Sequence, residues 1–291
     1  MIAASGVDVV LATGRSPWAG IADLAARLGL AGPHITMQGA LLSVPATGEI
    51  HRLRALPPGV YLEAVRFAGG LGIDPVVALL DGHRAERLPD GMDLFVSPLA
   101  EGRDFHYVND LSKLVDERPI RIFLPTGPER HGALRTAAEE RFAGRASIVW
   151  SDKSGIELLA PGSHKGEAVA WLAHTRGIGL DEVAAVGDAP NDTQMLRFAG
   201  RSAAMASAPA DVQLAADVVV PSSSETGVLD AFTWFFPDLA ASLPLPKGPF
   251  GDARGSAPEA GPGRDRPGRD GRPRWTPRAG GRPARVDDTR H

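Results

Sequence analysis

The feature that most constrains the fold is an alternation. Short apolar runs stop at polar, glycine-containing loops, and each loop leads into a stretch with helical spacing. Asp8–Ala12 ends in Thr13-Gly14-Arg15, Ser16-Pro17 follow, and apolar residues then recur at Trp18, Ile21, Leu24, Ala25 and Leu28 before Gly29. A short, evenly apolar run of this kind reads as a strand buried on both faces. Ser16 and Pro17 suit the N-cap and first position of the next helix. His34–Met37 reads as a second strand. The rhythm returns late in the chain, with strands over Glu182–Val186, Ser202–Ala206 and Asp217–Val220 and helices over Pro190–Phe198 and Pro209–Ala215. Strands and helices in this order predict an α/β fold: a doubly wound, mainly parallel sheet with helices on both faces.

The middle has another texture. Val76–Leu80 and Arg84–Leu88 flank Asp81-Gly82-His83, a hairpin signal. A strand over Arg121–Leu124, a helix over Glu129–Phe142 and strands over Ser147–Trp150 and Ile156–Leu159 follow. Hairpins mixed with helices predict an α+β module inserted between two halves of the first domain. The expected organisation is core over 1–54, inserted cap over 55–160, core again over 161–246, and a tail over 247–291.

The tail has its own composition. Residues 248–291 hold nine Gly, seven Pro and ten Arg against six Asp plus Glu. So little apolar surface cannot offset ordering entropy, and the segment is expected to be disordered. The net charge of −4 is thus shared between a basic tail and an acidic body, a poor nucleic-acid surface outside weak contacts through the tail. There are no cysteines, which excludes disulfides, thiolate metal sites and a cysteine nucleophile. No apolar run reaches the roughly 20 residues of a membrane-spanning helix, and Met1–Gly6 lacks the features of a secretory signal. The expectation is a cytoplasmic protein with no membrane partner.

In open α/β sheets, sites form where strands end at their carboxyl edge, and two such loops hold unusual chemistry. Thr13-Gly14-Arg15 combines a hydroxyl, an unobstructed backbone amide and a cation, a set suited to phosphate, although a Thr-Gly turn is also ordinary helix-start chemistry. Gly187-Asp188-Ala189-Pro190-Asn191-Asp192 crowds two carboxylates and an amide at a strand-to-helix turn. Such hard oxygen ligands select Mg²⁺; acidic residues complementing a helix dipole are the alternative. Between them, Ser163-His164-Lys165-Gly166 opens a helix. A lysine there opposes the macrodipole, and makes sense with an anion beside it.

Taken together, and in this order, these motifs resemble the haloacid dehalogenase-like phosphatases of the Cof-type branch, over about residues 7 to 235. Thr13, Lys165, Asp188 and Asp192 stand at that family's second, third and fourth motifs. Ile35-Thr36-Met37-Gln38-Gly39-Ala40 stands where the family has Asn-Gly-Ala, so Gln38 departs from the usual residue. The resemblance implies a Rossmann-like core with a large α/β cap. It also implies a Mg²⁺-dependent hydrolase acting on a small phosphorylated metabolite such as a sugar phosphate. Thr13 and the Gly14 amide would bind phosphoryl oxygens and Lys165 the phosphate and the aspartyl-phosphate, giving Thr13 and Lys165 catalytic roles. Asp188, supported by Asn191 and Asp192, would hold the metal. Arg15, Gln38 and Asn191 are further candidates for phosphate or substrate contact. Arg54, Arg84, His106 and Asn109 are polar residues of the cap for which a solvated surface role is the expectation.

The family's first motif, Asp-x-Asp-Gly-Thr, supplies the nucleophile and the general acid/base. It is not in the sequence: Asp81-Gly82-His83 has Leu79 at the earlier position, and Val286-Asp287-Asp288-Thr289 lies in the tail. The family places that motif further ahead of Thr13 than the twelve residues available, and its strand between those bearing the second and fourth motifs. Without it the core sheet is expected to show a slot of two strand spacings, roughly 9–10 Å, or to close by direct pairing. The expectation is therefore an N-terminally truncated chain whose own catalytic activity is in doubt. The rivals are a catalytically inactive phosphate-ligand sensor or scaffold, and a nucleotide-dependent oxidoreductase, against which the lack of G-x-G-x-x-G counts.

Overall fold

Glycine-terminated turns and apolar runs resolve into separate ladders in the structure, a computed structural model that describes residues 6–87 and 105–242. The first part holds helix α1 (Ile21–Arg27) and strands β1 (His34–Thr36), β2 (Leu41–Val44) and β3 (Glu49–Leu53), which form an antiparallel sheet in the order β1-β2-β3. The α/β character of the core is as expected, but two local features differ. Asp8–Ala12 joins β1 at a single parallel bridge, Ala12 with Ile35, supported by Ile35 N–H donating to the Leu11 carbonyl at 2.8 Å and Thr13 N–H to the Ile35 carbonyl at 2.9 Å. Among the described residues the segment is paired on one edge only and at this one bridge, so it is extended chain and not a full strand. The helix expected to start at Ser16-Pro17 begins instead at Ile21, with Gly20 at its N-cap in the left-handed region (φ 71°). Ser16 is fully buried, its Oγ 3.4 Å from His83 Nε2. A long-range contact thus takes the side chain that the local rule assigned to capping.

The inserted part starts with helix α2 (Pro58–Gly70) and builds a six-stranded sheet from β4 (Val76–Ala78), β5 (His83–Ala85), β6 (Phe105–Tyr107), β7 (Arg121–Pro125), β8 (Ser147–Val149) and β9 (Gly155–Leu159), in the order β6-β5-β4-β7-β9-β8. The expected hairpin at Asp81-Gly82 joins β4 to β5. Two-residue alternation assigns the sheet faces. Ile122, Leu124, Ile156 and Leu158 bury against Tyr61 of α2 and Phe142 beyond helix α3 (Pro128–Arg141). Each fully buried side chain of this size contributes about 1.5–3 kcal/mol. Tyr61 donates its hydroxyl to the Leu111 carbonyl at 2.6 Å, so the largest core residue carries no unmet polar atom. The alternate residues Arg121, Phe123, Gly155 and Glu157 face the other way, towards the core.

The chain returns through helix α4 (Lys165–Thr175), then β10 (Ala184–Gly187), α5 (Thr193–Phe198), β11 (Arg201–Met205), α6 (Ala210–Gln213), β12 (Val218–Val220), α7 (Gly227–Phe235) and α8 (Pro237–Ser242). β10, β11 and β12 form a parallel ladder in that order. Among the described residues, β10 pairs only with β11, and direct closure onto residues 8–12 is not observed. Helix α4 bridges the two ladders. Its Ala168 and Leu172 pack on Ile35 and Leu42, while Val169 and Ala12 reach both that cluster and the one around Ala185 and Leu196. Gly166 lets α4 approach α5 closely, because a Cβ there would lie 2.7 Å from the Gln194 backbone carbon. No helix among the described residues is long and apolar enough to cross a membrane. The tail over 247–291, with its expected disorder and weak nucleic-acid contacts, lies outside the described residues.

Candidate active site

The three loops singled out in the sequence open into one cavity of about 830 Å³ between the carboxyl edge of the core and the inward face of the cap sheet, within the roughly 300–1,000 Å³ usual for small-molecule sites. Thr13, Gly14, Arg15, Gln38, Lys165, Asp188, Asn191 and Asp192 all line it. Arg54, Arg84, His106 and Asn109 do not: Arg54 pairs with Glu167 at 3.3 Å and Arg84 with Asp81 at 2.8 Å.

Lys165 opens α4 against the macrodipole, and the expected anion is part of the protein. Its Nζ lies 2.7 Å from Asp192 Oδ1. The other oxygen, Asp192 Oδ2, accepts from the Asp188 and Ala189 amides at 3.0 and 3.1 Å. Asp192 thereby closes the Gly187–Asp192 turn on itself. The turn is tight enough that a Cβ on Gly187 would meet Asp192 Cβ at 2.5 Å. His164 caps the same helix, with Nδ1 accepting from the Glu167 amide at 3.1 Å. Burial holds its imidazole below the ordinary histidine range, against the pull of Glu167.

The Thr13-Gly14-Arg15 loop is fixed on both sides of its central residue. Thr13 Oγ1 accepts from the Arg15 amide at 3.1 Å, and the Thr13 and Arg15 carbonyls accept from the Gln38 and Met37 amides at 3.1 and 2.9 Å. Those last two contacts come from a strained turn, for Met37 and Gln38 are consecutive left-handed residues (φ 47° and 59°) and fully buried. Such positions cost about 1–3 kcal/mol each and persist where the surroundings hold them.

Gln38 uses that turn to reach across the cavity. Its Nε2 donates to Glu157 Oε1 at 2.7 Å and to Ser151 Oγ at 3.2 Å, while its Oε1 accepts from Asn191 Nδ2 at 2.8 Å. Glu157 is ion-paired to Arg121 at 2.8 Å, and the same Arg121 nitrogen donates to the Gly14 carbonyl at 2.7 Å. Core and cap are thus joined by a buried polar chain running Gly14–Arg121–Glu157–Gln38–Asn191. His83 stands beside it, 3.4 Å from Arg121 Nη2. Burial, and then the charges of Arg121 and Arg84, push its pKa down to about 3. Arg121, Glu157, Ser151 and His83 were not foreseen as site residues. A signal was present, since Arg121 and Glu157 are charged residues within otherwise apolar strand runs.

For a divalent ion the fit is partial. Asp188 lines the cavity with a carboxylate that no hydrogen bond or ion pair engages among the described residues, and Asn191 Oδ1 is a buried acceptor without a partner among them. Both are hard oxygen donors of the kind Mg²⁺ takes. Asp192 has both oxygens engaged, so its part in a metal site is to hold the Asp188 backbone. No group of three or more His, Asp or Glu suited to a metal occurs among the described residues, so an ion here would also draw on oxygens of a bound phosphate or water.

The chain is 28% identical over 243 residues to a chloroplast endoribonuclease YBEY of Arabidopsis thaliana, covering 78% of this chain and 40% of that protein. It is 27% identical over 232 residues to a putative phosphatase of Streptococcus pyogenes, covering 78% and 85%. Among solved structures, the subclass IIB sugar phosphatase BT4131 superposes with a TM-score of 0.70 at 22% identity, covering 80% of this chain and 87% of that one; at that identity the likeness is one of fold. A sequence family described as haloacid dehalogenase-like hydrolase matches residues 1–232. The carboxyl-edge cavity, the cap above it and this match over most of the length place the chain in the haloacid dehalogenase-like hydrolase family.

Proposed function

We propose that the cavity binds a phosphomonoester of a small metabolite and serves its Mg²⁺-dependent hydrolysis. The observation that carries this reading is the convergence of Thr13, Lys165 and Asp188, distant in sequence, on one cavity roofed by the cap. Thr13 Oγ1 and the Gly14 amide offer neutral donors to phosphoryl oxygens. The Lys165 ammonium adds charge, held in place by Asp192. When bound, Mg²⁺ would neutralise phosphate charge, with Asp188 and Asn191 as its protein donors. Sugar phosphates are the first class to test, given the sugar phosphatase among structures of the same fold.

The attacking carboxylate, on this reading, belongs to a strand lying between residues 10–12 and β10, whose facing edges have no ladder partner among the described residues. An Asp-x-Asp-Gly-Thr-like stretch encoded in frame upstream of Met1 supports it, and a stop codon in that interval opposes it. Turnover of para-nitrophenyl phosphate by the extended protein tests the activity. The expected result is Mg²⁺-dependent hydrolysis, abolished by EDTA and reduced at least about 100-fold by Asp188→Asn or Lys165→Met. Ligand binding with no turnover by the extended protein would favour a phosphate-ligand sensor. The fully engaged Asp192 and the sparse set of metal donors speak for that second reading.

A further inference from the structure

The buried chain that joins core and cap has a fixed polarity. Glu157, ion-paired to Arg121, is a carboxylate and can only accept. Gln38 therefore turns its Nε2 towards Glu157 Oε1, at 2.7 Å, and its Oε1 towards Asn191, whose Nδ2 donates to it at 2.8 Å. The second hydrogen of each amide goes to one shared atom: Gln38 Nε2 donates to Ser151 Oγ at 3.2 Å, and Asn191 Nδ2 to the same oxygen at 2.9 Å. An amide nitrogen carries two hydrogens, so neither side chain has an N–H left for a ligand. Ser151 Oγ has two acceptor sites, and those two donors fill them. Its own hydrogen is left to give, and no acceptor for it occurs among the described residues.

Where that hydrogen goes follows from the place of Ser151. The residue lies in the cap just past β8, is exposed, and lines the cavity. The Gln38 Nε2 that it accepts from is packed on Gly14, where a Cβ would come within 2.4 Å of that nitrogen. Asn191, its other donor, belongs to the Asp188 turn. Ser151 Oγ thus stands one hydrogen bond from the side chain against the Thr13-Gly14 loop and one from the turn that presents Asp188. We infer that Ser151 is a ligand-binding residue, donating its hydroxyl hydrogen from the cap side to a phosphoryl oxygen, and that it makes this contact in place of Gln38 and Asn191. An O–H donor to an ionised oxygen is among the stronger hydrogen bonds. The inference rests on the phosphate site proposed above and adds to it a contact supplied by the cap.

Calorimetric titration of the full chain in Mg²⁺, with inorganic phosphate and with glucose 6-phosphate, tests it. Ser151→Ala is expected to weaken inorganic phosphate about tenfold, and glucose 6-phosphate by a similar factor, because the phosphoryl group is common to both. Ser151→Thr, which keeps a hydroxyl, should bind both as the unaltered protein does. The urea midpoint of Ser151→Ala should stay in place, since the residue is exposed and the bonds among Glu157, Gln38 and Asn191 remain. Unchanged affinity for inorganic phosphate in Ser151→Ala overturns the contact and leaves the phosphate site standing, as does a loss confined to glucose 6-phosphate. A loss of affinity that comes with a lower urea midpoint and is not restored by Ser151→Thr makes Ser151 a structural residue and overturns the contact too. Failure of both probes to bind the unaltered protein overturns the phosphate site and the contact together.

Discussion

The Lys165 ammonium lies 2.7 Å from Asp192 Oδ1, and both side chains are less than a tenth exposed. A cation at the first position of α4 would oppose the helix dipole. The Asp192 carboxylate offsets that while its second oxygen holds the amides of the Asp188 turn. One buried pair thus ties the start of α4 to the loop that presents Asp188.

Breaking that pair from one side is expected to be costly. Lys165→Met leaves a buried carboxylate short of its counter-ion, and the expected loss of unfolding free energy is about 3–5 kcal/mol. Asp192→Asn strands the ammonium at a similar cost. The double variant should lose clearly less than the sum, because neither charge is then left alone. Urea unfolding of the three variants measures this, and strict additivity would show that the two groups do not act as a pair.

Gly14 offers a second test. A Cβ there would fall 2.4 Å from Gln38 Nε2, so Gly14→Ala must displace the side chain that bridges Glu157 and Asn191. The expected destabilisation is about 1–3 kcal/mol, typical of overpacking against a buried side chain. In a Gln38→Ala background those contacts with Gln38 are gone and the cost should largely vanish. A double-mutant cycle in denaturant reads that coupling. An equal cost in both backgrounds would place the strain in the backbone.

The cap side of the same chain is equally exposed to disruption. Glu157 and Arg121 side chains are each about a tenth exposed. Glu157→Leu leaves the Arg121 guanidinium with only the Gly14 carbonyl and His83 as hydrogen-bond partners among the described residues. A loss of about 3–5 kcal/mol is expected. Arg121→Leu/Glu157→Leu should recover much of it, since a paired apolar replacement strands no charge. Thermal unfolding of the two variants side by side distinguishes this from simple loss of packing, in which the double variant would be the less stable.

What the sequence made legible follows from the range of each interaction. β10, β11 and β12 could be read because an apolar run ending in Gly187-Asp188 is a local signal. The Lys165 anomaly could be read because the dipole is a property of one helix. Ser16 misled because its best partner, His83, lies 67 residues away in the cap, and such a contact outweighs a cap worth about 1 kcal/mol. Asp8–Ala12 reads as a central strand by composition, yet its pairing depends on neighbours that composition does not reveal. Arg121 and Glu157 stood out as charges within apolar runs, yet alternation tells which residues share a face and not what that face meets, so neither they nor Phe123 could be placed at the cavity.

The last prediction concerns pH. His83 titrates at about 3 against an ordinary value of 6.5, through burial first and the charges of Arg121 and Arg84 after it. His34 and His164 are held low as well, in both cases chiefly by burial. A depressed histidine takes up its proton in the unfolded chain before the folded one. Between pH 6.5 and about 3 the unfolded state therefore binds more protons, and stability falls as pH falls. Their contribution is fully present above pH 6.5 and is lost as the pH drops towards the folded values. The urea midpoint should accordingly decline between pH 7.5 and pH 5.0, a window above the ordinary carboxylate range. His83→Gln, keeping a polar group near Ser16 and Arg121, should flatten part of that decline and leave the share due to His34 and His164. A midpoint that holds steady over this window, or the same slope in His83→Gln, would mean that His83 accepts its proton in the folded protein and that the cavity wall around it is open to water.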